Sequence, residues 1–144
     1  MKLAILTPNV SALAQPTVEE IGDLADRGYR SIISNRPDGE TPDQPRWNDL
    51  KAAALARGME AVHIPVVASQ IDAADIRAFR EALERLPKPI AAFCRTGTRS
   101  TLLWALANEA SLTADERITI AAKEDYDLEP FRTLLSQEAS RARS

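Results

Sequence analysis

The only cysteine of the chain, Cys94, stands in the run Phe93-Cys94-Arg95-Thr96-Gly97-Thr98-Arg99-Ser100. Those residue types can do nucleophilic chemistry on an anion. A thiolate attacks electrophiles, Arg95 and Arg99 supply fixed positive charge, and Gly97 lets the backbone turn and approach a ligand closely. The apolar run Ile90-Ala91-Ala92-Phe93 before the cysteine predicts a buried strand, and Ser100 to Ala107 after it predicts a helix. A strand, a tight loop and a helix in that order aim backbone N–H groups and the positive end of the helix dipole at one point, where an anion sits readily. The same field favours thiolate over thiol. Cys94 and Arg99 are therefore the expected catalytic pair, with Arg95, Thr96, Gly97, Thr98 and Ser100 as substrate-binding residues. Two readings stay open for Arg95, anion ligand or surface ion pair, and two for Ser100, a hydrogen bond to the thiolate or an ordinary serine at a helix start.

The elements that must position this loop alternate between short apolar or β-branched runs and helical patterns, which predicts an α/β fold built around a mostly parallel sheet. Leu3 to Leu6 and Val10 to Leu13 flank Pro8-Asn9 as a hairpin. Thr17-Val18-Glu19-Glu20 reads as a capping box for a helix that runs to Gly28, with Val18, Ile21, Leu24 and Ala25 inward. Tyr29 to Ser34 follows as a strand, then the loop Asn35-Arg36-Pro37-Asp38-Gly39-Glu40. Trp47, Leu50 and Ala54 mark a helix ended by Gly58, and Glu60 to Ile64 a strand. Asp72 caps a helix whose apolar face is Ile76, Phe79, Leu83 and Leu86. Thr113-Ala114-Asp115-Glu116 is a second capping box, with Ile118, Ala121 and Ala122 inward. A last helix is expected over Tyr126 to Leu135, and a polar, frayed tail beyond Gln137. His63, in a strand, reads as a structural imidazole rather than a catalytic base, and Trp47 and Trp104 as core residues.

With 144 residues the chain fits one domain with one core, and single-domain organisation over 1–144 is expected. An apolar fraction of 44% and a charged fraction of 27% suit a globular protein rather than a disordered or membrane-spanning one. The formal charge of −3 argues against a nucleic-acid partner, and no membrane partner is expected. Met1 to Pro8 lacks the pattern of a signal peptide, and a lone thiol survives best in a reducing compartment, so a cytoplasmic location is expected. One cysteine and one histidine make a metal centre improbable, and no cofactor is expected.

Asn35-Arg36-Pro37-Asp38-Gly39-Glu40, His63-Ile64-Pro65-Val66 and Cys94-Arg95-Thr96-Gly97-Thr98-Arg99-Ser100, in this order and spacing, resemble the bacterial beta-lactamase-hydrolase-like phosphatase-like domain family. The resemblance covers nearly the whole chain. It implies a cysteine-phosphatase-like fold of the dual-specificity type, a central mostly parallel sheet flanked by helices, with Cys94 cradled in an anion-binding loop. Family members are described variously as nonclassical phosphatases and as sulfurtransferases, and some are fused to a persulfide dioxygenase. A persulfide-handling enzyme is thus an expected partner.

Four residues separate Cys94 from Arg99, where tyrosine and dual-specificity phosphatases place one more. The shorter loop is similar to that of rhodanese, whose smaller cradle suits a persulfide. Phe93 also replaces the histidine that commonly precedes the cysteine in the phosphatase motif. Phosphate-ester cleavage needs a carboxylic acid to protonate the leaving oxygen, and related phosphatases often carry it just after an Ile-Pro motif. Here Val66-Val67-Ala68-Ser69 follows Ile64-Pro65, and no carboxylate appears before Asp72, which the helix cap claims. Asp38 is the substitute acid, with Asn35 and Arg36 either bracing the active loop or organising their own turn. Sulfur transfer from thiosulfate expels sulfite, which needs no acid. The leading expectation is therefore a sulfurtransferase that moves sulfane sulfur through a Cys94 persulfide, with a small oxoanion or persulfide as substrate. The alternative is a nonclassical phosphatase acting through a cysteinyl-phosphate. A third reading is a non-catalytic anion-binding or redox-sensing module.

Overall fold

Five strands form one sheet whose order places the last strand in the middle. The computed structural model describes residues 1–143, with side chains through residue 137. Strands β1 (Ala4–Thr7) and β2 (Val10–Ala14) make the expected hairpin, and β2 then runs parallel to β5 (Ile90–Cys94). On its other side β5 pairs in parallel with β3 (Ser31–Ser34), which pairs with β4 (Glu60–His63). The sheet order is β1-β2-β5-β3-β4. Among the described residues the only antiparallel pair is the one that a short turn can join, while each parallel pair needs a longer crossover.

The helices are α1 (Val18–Asp26), α2 (Trp47–Ala56), α3 (Ala73–Arg85), α4 (Thr98–Ala107), α5 (Ala114–Lys123) and α6 (Arg132–Arg143), with single 3₁₀ turns at Ala68–Gln70 and Glu129–Phe131. Side-chain direction alternates along β5 and divides the core in two. Ala91 and Phe93 face α1 and α2, joining Leu13, Ile21, Leu24, Ile32, Trp47 and Leu50. Ile90 and Ala92 face the other helices, joining Phe79, Leu83, Leu103, Trp104, Ile118 and Leu135. Every residue of β5 is buried, so a run with no polar side chain is what this position demands. Burying a side chain the size of Phe93 contributes about 2 kcal/mol, and the central strand is thereby fixed from both faces. Trp47 and Trp104 are core residues, as expected.

Helix starts follow the local signals. Thr17 with Glu20, Asp72 with Asp75, and Thr113 with Glu116 each form a reciprocal capping box. Several boundaries differ from expectation by a residue or two, and three of them have a clear cause. Tyr29 does not begin β3, because its N–H closes the end of α1 on the Leu24 carbonyl at 3.1 Å. Helix α4 starts at Thr98 rather than Ser100, since the Gly97 carbonyl already accepts the Thr101 N–H. The helix expected from Tyr126 is broken; Pro130, which lacks an N–H, lies in the 3₁₀ turn, and α6 begins only at Arg132. The inward stripes are also narrower. Val18 is 37% exposed in the first turn of α1, and Ala122 is exposed, while Arg117 takes a buried place on α5. Its guanidinium donates to the carbonyls of Ala105 and Leu135, tying α5 to α4 and α6. Apart from its helical backbone, the polar stretch after Gln137 lies outside the described residues. Among the described residues no helix is long and apolar enough to cross a membrane.

Candidate active site

Because β2, β5 and β3 run parallel, all three release the chain at one edge of the sheet, and parallel α/β sheets bind their ligands at that edge. The segments that meet there are Gln15, Asn35-Arg36 and the loop after Cys94. Backbone bonds hold them together: the Gln15 N–H donates to Arg95, the Asn35 N–H to Phe93, and the Val66 N–H to Asn35.

Cys94 closes β5 and is buried. Its Sγ accepts the Gly97 N–H at 3.1 Å, so the loop folds back over the sulfur as the strand–loop–helix pattern predicts. Gly97 has φ of +92° and forms the N-cap of α4, a conformation that side chains with a Cβ resist. Space matters as much as conformation. A Cβ at Gly97 would lie 2.1 Å from Tyr126 Oη and 3.2 Å from the Leu13 carbonyl carbon. Tyr126 donates to the Thr96 carbonyl at 3.0 Å and thus lies across the loop. Burial, followed by charge on Cys94, raises the Tyr126 pKa, which places phenol and sulfur in one electrostatic neighbourhood. Gly97→Ala is expected to destabilise the fold by about 1–3 kcal/mol through positive φ and displacement of Tyr126. A denaturant midpoint equal to that of the unaltered protein would show that the loop relaxes freely.

Arg99 is held by three contacts. Its Nη1 and Nη2 donate to the two carboxylate oxygens of Glu40, each at 2.7 Å, and Nη1 also reaches the Val66 carbonyl at 3.0 Å. The Arg99 pKa is raised chiefly by Glu40, with a further contribution from Cys94, so guanidinium and sulfur share one electrostatic neighbourhood. Glu40 in turn accepts from Arg36 Nε at 3.1 Å. The hydrogen bond from Arg99, seconded by Arg36, lowers the Glu40 pKa from 4.5 to about 2. A carboxylate held that far down is a brace and not a proton donor.

The sign of that shift sets a pH window. Because the folded-state pKa is depressed, the stability Glu40 contributes is complete above 4.5 and is lost as pH falls toward about 2. In denaturant titrations across this window, the unaltered protein is expected to lose its stability advantage over Glu40→Gln. Parallel curves for the two would mean that the pair contributes nothing to folding.

The remaining expected site residues divide clearly. Asn35 and Arg36 do brace the loop: Asn35 Nδ2 donates to the Ile64 carbonyl at 2.9 Å, and its Oδ1 accepts from Ser100 Oγ at 2.8 Å. Ser100 has one hydroxyl proton and gives it to Asn35, so it does not donate to the thiolate. Besides Glu40, Arg36 donates to Gln15 Oε1 and Thr41 Oγ1, which shapes the loop that carries Glu40. Thr96 and Thr98 join their hydroxyls at 3.0 Å. Arg95 is exposed, and among the described residues its side chain has no ion-pair partner. Asp38 is not beside the cysteine in any hydrogen bond; its carboxylate accepts the Trp47 N–H at 2.8 Å and caps α2. His63 is structural, with Nε2 2.9 Å from the Arg36 carbonyl and its ring stacked on Trp47 at 5.0 Å. Asp72 accepts the Asp75 N–H at 2.9 Å, so the segment after Pro65 supplies no free carboxylate.

Glu40 and Tyr126 escape sequence reasoning as site residues. Glu40 carried a signal, an acid ending a Pro-Gly loop at the sheet edge; Tyr126 carried none, since its contact with Thr96 spans 30 residues.

Comparison with known proteins adds to this geometry. The family model described as "Beta-lactamase hydrolase-like protein, phosphatase-like domain" matches residues 2–111. The chain is 34% identical over 141 residues to the beta-lactamase hydrolase-like protein of Xylella fastidiosa strain Temecula1, covering 96% of this chain and 33% of that protein. It thus spans about a third of the length of the curated relative. Among solved structures, a candidate phosphatase from Neisseria meningitidis Z2491 superposes with a TM-score of 0.84 at 34% identity, over 95% of this chain and 99% of that one. The P. aeruginosa protein TpbA, solved in complex with pTyr, superposes with a TM-score of 0.67 at 14% identity, over 96% of this chain and 80% of that one, and shares the fold. The comparisons back the phosphatase alternative, and the leading expectation of sulfur transfer finds no support in them.

Proposed function

Because the chain belongs to the beta-lactamase hydrolase-like protein, phosphatase-like domain family, we propose that it is a cysteine-dependent phosphatase acting on small phosphate monoesters. The observation that carries this reading is the cradle itself. Cys94 Sγ lies under the Gly97 N–H at the start of α4, beside an Arg99 fixed by Glu40. The thiolate attacks phosphorus, an S–P bond forms as the P–O bond to the leaving group breaks, and the alcohol departs with a proton. Water then attacks the cysteinyl-phosphate, breaking the S–P bond and returning phosphate and thiolate. Loop N–H groups, the helix dipole and Arg99 stabilise the charge that builds on the equatorial oxygens. Residues 1–144 act as one catalytic domain in this reading.

One observation keeps sulfur transfer as the second reading: four residues, not the longer phosphatase spacing, separate Cys94 from Arg99. Rapid quenching separates the two. Incubation with an aryl phosphate is expected to leave a phosphoryl group on Cys94 in the mass spectrum, and incubation with thiosulfate to leave the residue unchanged. An added sulfur after thiosulfate, with no Cys94-dependent phosphate release, would overturn the phosphatase reading.

A further inference from the structure

The loop over Cys94 turns N–H groups toward the sulfur only while its peptide planes face the right way. In a trans peptide the C=O and the following N–H point in opposite directions, so a carbonyl held on the outside of the loop turns its N–H inward. Three consecutive carbonyls are held here. The Gln15 N–H takes the Arg95 carbonyl at 3.2 Å, and the Thr101 N–H and hydroxyl take the Gly97 carbonyl at 3.0 and 2.8 Å. The middle carbonyl, on Thr96, accepts from the Tyr126 hydroxyl at 3.0 Å. The N–H of that same peptide, on Gly97, donates to Cys94 Sγ at 3.1 Å. Phenol, peptide and sulfur thus form one hydrogen-bonded line.

The middle plane is also the one most free to turn. Gly97, at φ of +92°, has no Cβ to oppose rotation of the peptide before it. A turned plane would aim the Thr96 carbonyl oxygen at the sulfur, where it repels thiolate and oxoanion alike. The phenol that prevents this is itself anchored. After α5 the chain passes Asp125 at φ of +69°, and the Tyr126 N–H returns to the Ala121 carbonyl at 2.9 Å. Arg117 ties α5 to α4, the helix into which the loop runs. Burial, and then charge on Cys94, raise the Tyr126 pKa, so at neutral pH the hydroxyl keeps the proton it donates.

We propose that Tyr126 is a positioning residue for the nucleophile: its hydroxyl locks the Thr96-Gly97 peptide with the Gly97 N–H facing Cys94 Sγ, and so holds the thiolate ready for attack. Tyr126 lies beyond residues 2–111, the part of the chain that the family model matches. The inference deepens the phosphatase reading, and rests on it only for the effect on turnover.

Tyr126→Phe removes the hydroxyl and keeps the ring. The chain has one cysteine, so the ultraviolet absorbance of the thiolate, taken against a matching Cys94→Ser chain, follows Cys94 alone. The pH midpoint of that absorbance is expected to rise by about one unit, because a hydrogen bond to the charged form is weakened. Arg99 also bears on the sulfur, and Lys2 and Glu124 bear on the phenol; the variant keeps all three. Below the midpoint, kcat/KM for an aryl phosphate should fall about tenfold, and it should recover as pH rises past the new midpoint. An unmoved midpoint overturns the assignment whatever the Tm does, since a brace of the fold alone would lower Tm and leave the ionisation where it was. Loss of the cooperative unfolding transition in Tyr126→Phe also overturns it, by making the hydroxyl a structural contact. If the midpoint moves but the unaltered protein hydrolyses no aryl phosphate, the phosphatase reading fails and Tyr126 keeps its role in positioning the thiolate.

Discussion

Replacing Cys94 by serine is expected to lower kcat for aryl phosphate hydrolysis by at least about 10⁴-fold, the largest loss of any single change in the molecule. The reason lies in the nucleophile and not in the packing. Serine differs from cysteine by one atom, and the residue is buried at the end of a strand fixed from both faces, so the fold should persist. What changes is ionisation: a hydroxyl is far weaker as an acid than a thiol, and the Gly97 N–H with Arg99 does not close that gap. Inorganic phosphate should still bind the variant, because the loop N–H groups and Arg99 are untouched. Phosphate inhibition kinetics and thermal unfolding therefore separate loss of chemistry from loss of structure. Retained turnover in Cys94→Ser would remove the cysteine from the mechanism altogether.

Arg99→Lys should cost about 10²–10³-fold in kcat, with folding largely preserved. The guanidinium fork donates to both oxygens of Glu40 and still reaches the Val66 carbonyl. An ammonium is a point charge and cannot hold that pattern while also facing an anion. The substitution also leaves Glu40 with a weaker partner near the site of a phosphate dianion, adding repulsion where attraction is needed. Glu40→Gln is expected to lose less, about tenfold, because Arg99 keeps its charge and loses only its orientation. In a double-mutant cycle the two losses should fall short of additive, since both act through one fork. Full additivity would mean that Glu40 and Arg99 work independently and that the brace has no catalytic role.

Much of this architecture was readable along the chain because its causes are local. Capping boxes join residues three apart, and all three helices opened by them start where Thr17, Asp72 and Thr113 indicate. The run Ile90 to Phe93 could only be buried, and Gly97 was marked for an unusual backbone. Where the reading strayed, longer contacts had prevailed. Ser100 looked free to reach a thiolate until Asn35, 65 residues away, took its proton. The lean toward sulfur chemistry came from counting residues between Cys94 and Arg99 and from looking for an acid only after Pro65. A count along the loop does not measure the cradle.

The sequence by itself determined that a lone cysteine ends a buried strand and enters a helix through a glycine turn, because apolar periodicity, glycine conformation and helix capping act over a few residues. Tertiary structure alone decided the company that cysteine keeps. Glu40 meets Arg99 across 59 residues and Tyr126 covers the loop across 30. Such pairings depend on how strands are ordered in the sheet, and no local preference of the chain encodes which distant side chain arrives.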